Sequence, residues 1–199
     1  SSANLFGVTP ERRLSEDCAD NPPSLWSLHK LVSEYYLKWY SDHDGQDVVS
    51  LRLPNVYGPC PRHEIQTRGA INKMAAHAVQ NGALTLYSNR HCMRDYLFIE
   101  DVVRAFLMAG LAEREPGRRY WVVGSGRGIT IEGVAQKIRD CVTALTGKKV
   151  EFHLDDSVLL GPMQMRHFTA DSSRFQKWTG WKPRMDLEEG LEQTVKAFL

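Results

Sequence analysis

The sequence predicts an α/β fold with a smaller mixed lobe, and three observations carry that expectation. Segments with apolar residues at three- and four-residue steps alternate with short apolar or aromatic runs. A long helical pattern followed by a buried strand is the unit from which α/β proteins are built. Helix-starting and helix-stopping residues separate the segments along the chain.

Residues 25–42 predict the first long helix, with Leu28, Leu31, Val32, Tyr35, Tyr36 and Trp39 in helical register and Pro22-Pro23-Ser24 ahead of it. Its aromatics, Tyr40 included, cover more than one face, which predicts burial on two sides. Asp44-Gly45 ends it, and 48–53 then reads as a buried strand closed by Pro54. Residues 60–68 read as a loop containing Pro61 and Arg62. Residues 70–81 predict a helix stopped by Gly82, followed by strands over 84–87 and 96–99. Glu100-Asp101 place negative charge at the start of a helix running to about residue 112. A strand over 120–123 ends in Gly124. Thr130 predicts the N-cap of a helix that runs to Leu145 and stops at Gly147, and 149–154 reads as a strand. Asp171 predicts the cap of a short helix carrying Phe175 and Trp178. Asp186 with Glu189 resembles a capping box for a closing helix with Leu187, Leu191, Val195 and Phe198. Phe168, Phe175, Trp178 and Trp181 are expected in the core of the C-terminal lobe.

The 199 residues suffice for one domain and part of a second, and 42% hydrophobic with 25% charged residues is the composition of a soluble globular protein. A net charge of +1 gives no electrostatic reason for nucleic acid or an anionic membrane as partner. The pairs Arg12-Arg13, Arg118-Arg119 and Lys148-Lys149 read as solvated surface. Cys18, Cys60, Cys92 and Cys141 form no C-x-x-C pair and no zinc spacing, so a reduced cytoplasmic protein without a metal is the simplest reading. No apolar run reaches the ~18–20 residues of a membrane span, and no signal peptide opens the chain. The abrupt start at Ser1-Ser2-Ala3-Asn4, without Met, suggests a preceding segment.

Five stretches, in order, are similar to the extended short-chain dehydrogenase/reductase family of NAD-dependent nucleotide-sugar epimerases and dehydratases. They are Ser1-Ser2-Ala3-Asn4-Leu5-Phe6-Gly7; Glu16-Asp17 and Asn21-Pro22 leading to the helix of Lys30; Leu51 to Pro59; Arg94 to Val103; and Asp171 with Gly180-Trp181-Lys182-Pro183 and Leu187 to Leu191. The resemblance implies the C-terminal part of a Rossmann-like, doubly wound parallel sheet that binds NAD or NADP, with a mixed α/β substrate lobe. It divides the chain into Rossmann-like segments 1–58 and 96–125 and substrate-lobe segments 59–95 and 126–199. The first Gly-rich phosphate turn of such a fold is expected upstream of Ser1. Gly124-Ser125-Gly126-Arg127-Gly128 lacks its full spacing and reads as a turn into a helix.

The family's chemistry is hydride transfer between a sugar carbon and a nicotinamide. A tyrosine takes the hydroxyl proton, assisted by a lysine four residues on, and the four-residue step puts both on one helix face. Here Ser2 and Lys30 match that pattern, but Trp26 stands at the tyrosine position. Indole is an N–H donor only and cannot act as the base. His29 has a suitable intrinsic pKa but lies about 300° round the helix from Trp26, roughly 60° off its face. Without the resemblance, Ser2 reads as a strand end, Lys30 as solvated, Trp26 as core, His29 as surface, and Tyr35 and Tyr36 as packing residues.

By the same resemblance, Ser1, Lys30, Pro54, Asn55 and Val56 face the cofactor, and Asn4, Asn55, Tyr87, Arg94 and Arg166 face the substrate. Arg94 suits the diphosphate through paired hydrogen bonds; its bland alternative is an ion pair with Asp95 or Glu100. Gly161-Pro162 stands where the family often has Arg-Pro, which leaves Arg62, Arg68 and Arg90 as possible compensating contacts. Three functions stay open. They are NAD(P)-dependent epimerisation, dehydration or reduction of a nucleoside-diphosphate sugar; a non-catalytic binding relative; and a dehydrogenase with a non-sugar substrate. Family members commonly pair through a four-helix bundle, so a homodimer through residues 25–42 is expected.

Overall fold

The computed structural model describes residues 1–60, 66–113 and 118–199. A 3-10 turn over Ala3–Phe6 opens the chain, followed by β1 (Arg13–Leu14) and α1 (Leu25–His43). Ser24 caps α1 by accepting from the Ser27 N–H at 3.2 Å. Next come β2 (Leu51–Arg52), β3 (Asn55–Tyr57), α2 (Ala70–Asn81), β4 (Ala83–Tyr87), β5 (Met93–Phe98) and α3 (Ile99–Leu111). The chain closes with β6 (Trp121–Val122), β7 (Gly128–Thr130), α4 (Ile131–Thr146), β8 (Glu151–Asp155), α5 (Pro162–Met165), β9 (Thr169–Ala170), α6 (Ser173–Thr179) and α7 (Leu187–Lys196).

The pairing is parallel except at one strand. β2 pairs with β6, and Leu53 bridges to Ser2 on its other side. β3 pairs with β5, which takes β7 antiparallel on its far edge. β4 pairs with β8, and β1 with β9. β7 and α4–α7 supply the mixed character expected of the smaller lobe.

Local signals placed the longest elements well. α2 stops at Gly82, and α4 starts from Thr130, whose hydroxyl accepts from the Gly133 N–H, and stops at Gly147. The expected strand over 48–53 is shorter: its ladder spans Leu51–Arg52, because β6 supplies partners only from Trp121 onward. β5 is longer than expected, β3 forms just after Pro54, ahead of the loop predicted over 60–68, and β1, β7 and β9 escaped prediction. Asp186 caps α7 by accepting from Glu188, with Ser172 the N-cap of α6.

Three apolar clusters hold the layers. Tyr57, Leu84, Phe98, Ile138 and Leu191 anchor one between the lobe strands and α2, α4 and α7. Leu51, Leu97, Trp121, Phe175 and Trp181 form the second, where Trp121 and Trp178 stack at 4.7 Å. The expected C-terminal core aromatics thus pack onto β6 as well. Phe6, Leu14, Tyr120, Phe168 and Ala170 form the third. Each fully buried Leu or Phe contributes about 1.5–3 kcal/mol.

α1 departs from expectation. Trp26, Tyr35, Tyr36, Trp39 and Tyr40 are about half exposed in this chain, and the helix's buried side chains are Ser27 and Glu34. Glu34, 1% exposed, accepts from Arg52 Nε at 2.9 Å and Nη2 at 2.7 Å; Arg52 is 0% exposed. Arg52 Nη1 also lies 2.6 Å from Asp20, and its guanidinium stacks 3.5 Å from the Tyr120 ring centroid. Arg119 pairs with Asp20 and Glu34, and Arg118 stacks on Trp121. The Arg118-Arg119 pair is therefore structural, not solvated surface. Burial opposes the charge on Arg52, but its hydrogen bonds to Glu34 and Asp20 outweigh that and raise its pKa.

Removing one partner of a buried pair leaves an uncompensated charge. Glu34→Gln is expected to lower the urea unfolding free energy by about 3–5 kcal/mol. A loss below about 1 kcal/mol would show that the network behaves as an exposed ion pair.

Candidate functional site

β5 presents alternating side chains to opposite surroundings, as strand geometry requires. Asp95 is fully buried and accepts four hydrogen bonds, from Ser125 N–H at 3.0 Å, Ser125 Oγ at 2.6 Å, Gly126 N–H at 2.9 Å and Ala170 N–H at 2.9 Å. Burial pushes its pKa up while these bonds pull it back. A side chain at Gly124 would meet the Ala170 Cβ at 2.4 Å and Asp95 at 3.0 Å, and Gly126 sits at φ +72°. The glycine cluster is a turn folded onto Asp95. Two N–H groups that a phosphate cradle would need are already donated to this carboxylate.

Arg94, one residue earlier, is 8% exposed. Contrary to the bland expectation it pairs with neither Asp95 nor Glu100. It donates to the carbonyls of Met93 at 3.0 Å, Gln164 at 2.6 Å and Arg166. Arg166 donates to the Gly7 carbonyl at 2.9 Å and to Asn4 Oδ1 at 2.5 Å. Both guanidinium groups lie over Phe168. Burial lowers the pKa of Arg94. Burial and then the charge of Arg94 bring Arg166 down to about 10. Both remain charged at neutral pH. Arg52 has carboxylates around it; these two arginines have only neutral acceptors.

The two arginines line a cavity of about 560 Å³. Asn4, Asn55, Tyr87, Arg94 and Arg166, the five residues expected to face substrate, all line it. Asn55 also donates from Nδ2 to the Asp95 carbonyl at 3.0 Å. Lys73 and His77, one turn apart on α2, complete a basic wall, while Met74, Leu84, Ile131 and Phe168 give apolar surface. No Asp or Glu lines the cavity among the described residues. The sequence reading missed Lys73, His77, Gln164 and Tyr96 here. The signal for Lys73 and His77 was their four-residue spacing away from the apolar stripe of α2. Of the suggested compensating arginines, Arg90 pairs with Asp156 at 2.6 Å, Arg68 does not line the cavity, and Arg62 lies outside the described residues.

Ser1, Ser2, Trp26, His29, Lys30, Pro54 and Val56 are not among the residues that line this cavity. Ser2 is half-buried, its backbone bridged to Leu53, and its Oγ accepts from the Asn4 N–H at 3.2 Å. Ser1 precedes it and is exposed. Trp26 is 54% exposed, so it is not core in this chain. Lys30 Nζ lies 5.8 Å from the Trp26 ring centroid, which places the two on one helix face. His29 is exposed, and its carbonyl accepts from Ser33. Pro54, Asn55 and Val56 follow the carboxyl end of parallel β2, where ligands bind in open α/β sheets. Among the described residues no group of three His, Cys, Asp or Glu is placed to hold a metal ion.

The parallel strand pairs and this crevice define a Rossmann-type α/β protein. The model of the NAD dependent epimerase/dehydratase family matches residues 1–124, and the chain belongs to that family. It is 29% identical to the UDP-glucose 4-epimerase of Mycolicibacterium smegmatis over all of this chain and 60% of that protein. A UDP-N-acetylglucosamine 4-epimerase from Methanobrevibacter ruminantium, solved with UDP-N-acetylmuramic acid, superposes with a TM-score of 0.83 at 26% identity, over 100% of this chain and 61% of that one. The Thermus thermophilus UDP-glucose 4-epimerase in complex with NAD gives 0.78 at 26% identity, over 99% and 62%. The chain therefore spans about 60% of the length of these relatives.

Asp95→Asn would turn an amide N–H toward backbone donors. A melting temperature lower by about 4–12 °C is expected by calorimetry, the equivalent of about 2–3 kcal/mol. An unchanged melting temperature would contradict the role given to this carboxylate.

Proposed function

We propose that the chain carries the substrate side of an NAD- or NADP-dependent enzyme that epimerises, dehydrates or reduces a nucleoside-diphosphate sugar. The observation that carries this reading is the cavity lined by the buried Arg94 and the half-buried Arg166, with no carboxylate in its lining among the described residues. An uncompensated pair of guanidinium groups suits the oxygens of a diphosphate. The apolar walls suit a base, and Asn4 and Asn55 offer polar contacts to a sugar. Membership of the family and the ligands of its relatives support the same substrate class.

Bound NAD or NADP would supply the hydride acceptor and donor. Ser1, Lys30, Pro54, Asn55 and Val56 would hold its nicotinamide end, and the place of the last three after the carboxyl end of β2 fits that task. Ser2 would polarise the reacting hydroxyl. Trp26 cannot accept the proton. Tyr96 lines the cavity, but burial pushes its phenol up to about 12, so it remains a donor. His29, exposed and adjacent to Lys30, is the base we assign to this step. A second reading, a binding protein without turnover, is favoured by the indole of Trp26 alone.

Pairing of segments 1–58 and 96–125 through β2 and β6, and of 59–95 and 126–199 through β4 and β8, supports the expected division into two lobes. We also place the protein in the cytoplasm; none of its described helices is long and apolar enough to cross a membrane. The half-exposed aromatics of α1 support a homodimer through residues 25–42. Light scattering at micromolar concentration is expected to give twice the chain mass; a monomer would contradict this.

A proton NMR time course in deuterated water, with NAD and pooled nucleotide sugars, tests the main reading. New sugar signals or deuterium uptake are expected. Line broadening without new signals would establish the binding reading instead. Trp26→Tyr is then expected to raise turnover by about 10²–10⁴-fold if the rest of the site is intact.

A further inference from the structure

We propose that Arg166 is a positioning residue that couples occupancy of the anion site to the orientation of Ser2, through Asn4. The inference rests on the cavity being a diphosphate site. Its geometry is a continuous path: Arg166 Nη2 donates to Asn4 Oδ1 at 2.5 Å, and the Asn4 N–H donates to Ser2 Oγ at 3.2 Å.

Arg166 also donates from Nη1 to the Gly7 carbonyl at 2.9 Å, and Gly7 closes the 3-10 turn that begins at Ala3. One side chain from the connection between α5 and β9 therefore grips both ends of the turn that follows Ser2. These contacts, with Met163 Sδ at 4.0 Å from Nη1, leave Nε–H and one N–H of Nη2 without an acceptor among the described residues. Arg94 has the same two donors left after its three carbonyl bonds. Four N–H groups thus remain for an anion at the cavity wall.

A guanidinium is planar and rigid, so its donors cannot be aimed separately. When an anion draws the spare N–H groups toward itself, the plane turns as a unit. The bonds to Asn4 and Gly7 turn with it, and the hydrogen bond received by Ser2 is re-aimed. The resting arrangement is electrostatically unfavourable, because burial and then the neighbouring charge of Arg94 both oppose the charged form of Arg166. An anion that relieves this repulsion supplies the driving force.

The test uses nitrogen-15 NMR of this chain with inorganic pyrophosphate, which needs no knowledge of the base. In the wild type, backbone amides of residues 2, 4 and 7 are expected to shift with one common saturation curve. Asn4 is exposed, so its variants are expected to fold. At saturating pyrophosphate, Asn4→Ala is expected to show a residue 2 shift at least about threefold smaller than the wild type, whatever its affinity. Asn4→Asp keeps the acceptor for Arg166 but adds a counter-charge. It is expected to retain the residue 2 shift and weaken binding by about tenfold. Pyrophosphate binding that leaves residues 2, 4 and 7 unmoved, or an undiminished residue 2 shift in Asn4→Ala, would overturn the coupling and leave the anion site standing. Absence of binding up to about 10 mM would overturn the anion site itself, and the coupling with it.

Discussion

A single buried carboxylate orders the functional half of this molecule. Asp95 gathers N–H groups from the Gly124–Gly126 turn and from Ala170, segments separated by more than forty residues of chain. Leaving any of those donors buried and unpaired would cost about 1–3 kcal/mol each, so the three segments form as one unit. The Ala170 contact fixes the approach of β9 and hence of Phe168 and Arg166 just before it. Strand alternation then sends Arg94 toward the cavity. The position of both cavity arginines follows from where Asp95 finds its donors.

Two pairs of arginines, each with one member buried, show opposite uses of the same side chain. Arg52 and Arg119 share Glu34 and Asp20, and the resulting network joins α1 to β2 and β6. That join sets where Trp26 and Lys30 sit relative to the strand carrying Pro54 and Asn55. Burial also opposes the charges of Arg94 and Arg166, with no carboxylate among their hydrogen-bond partners to offset it. A fold that satisfies one pair fully and leaves the other to neutral carbonyls concentrates its unspent positive charge in the cavity.

What was legible in the sequence follows from range of interaction. α2 and α4 could be read to within a residue, because Gly82, Thr130 and Gly147 act on the adjacent turn. β1 and β9 could not, because each is two residues long and its partner lies more than 150 residues away. Arg52 carried a faint signal, a charge inside an apolar run, but its partner Glu34 is eighteen residues off. Arg94-Asp95 looked like a potential ion pair, whereas neighbouring strand residues point to opposite faces. The five cavity residues were legible only through family resemblance; Lys73 and His77 carried only their four-residue spacing off the apolar stripe of α2, and Gln164 carried no signal. The aromatics of α1 show the opposite case, an apolar pattern left about half exposed among the described residues.

The account centres on the cavity as a diphosphate site. A crystal structure of the chain with UDP-glucose bound tests it most directly. The account predicts diphosphate oxygens within about 3.2 Å of Arg94 and Arg166 nitrogens, with the base against the apolar walls. A diphosphate seated on the Gly124–Gly128 turn, or anywhere away from both arginines, would contradict it.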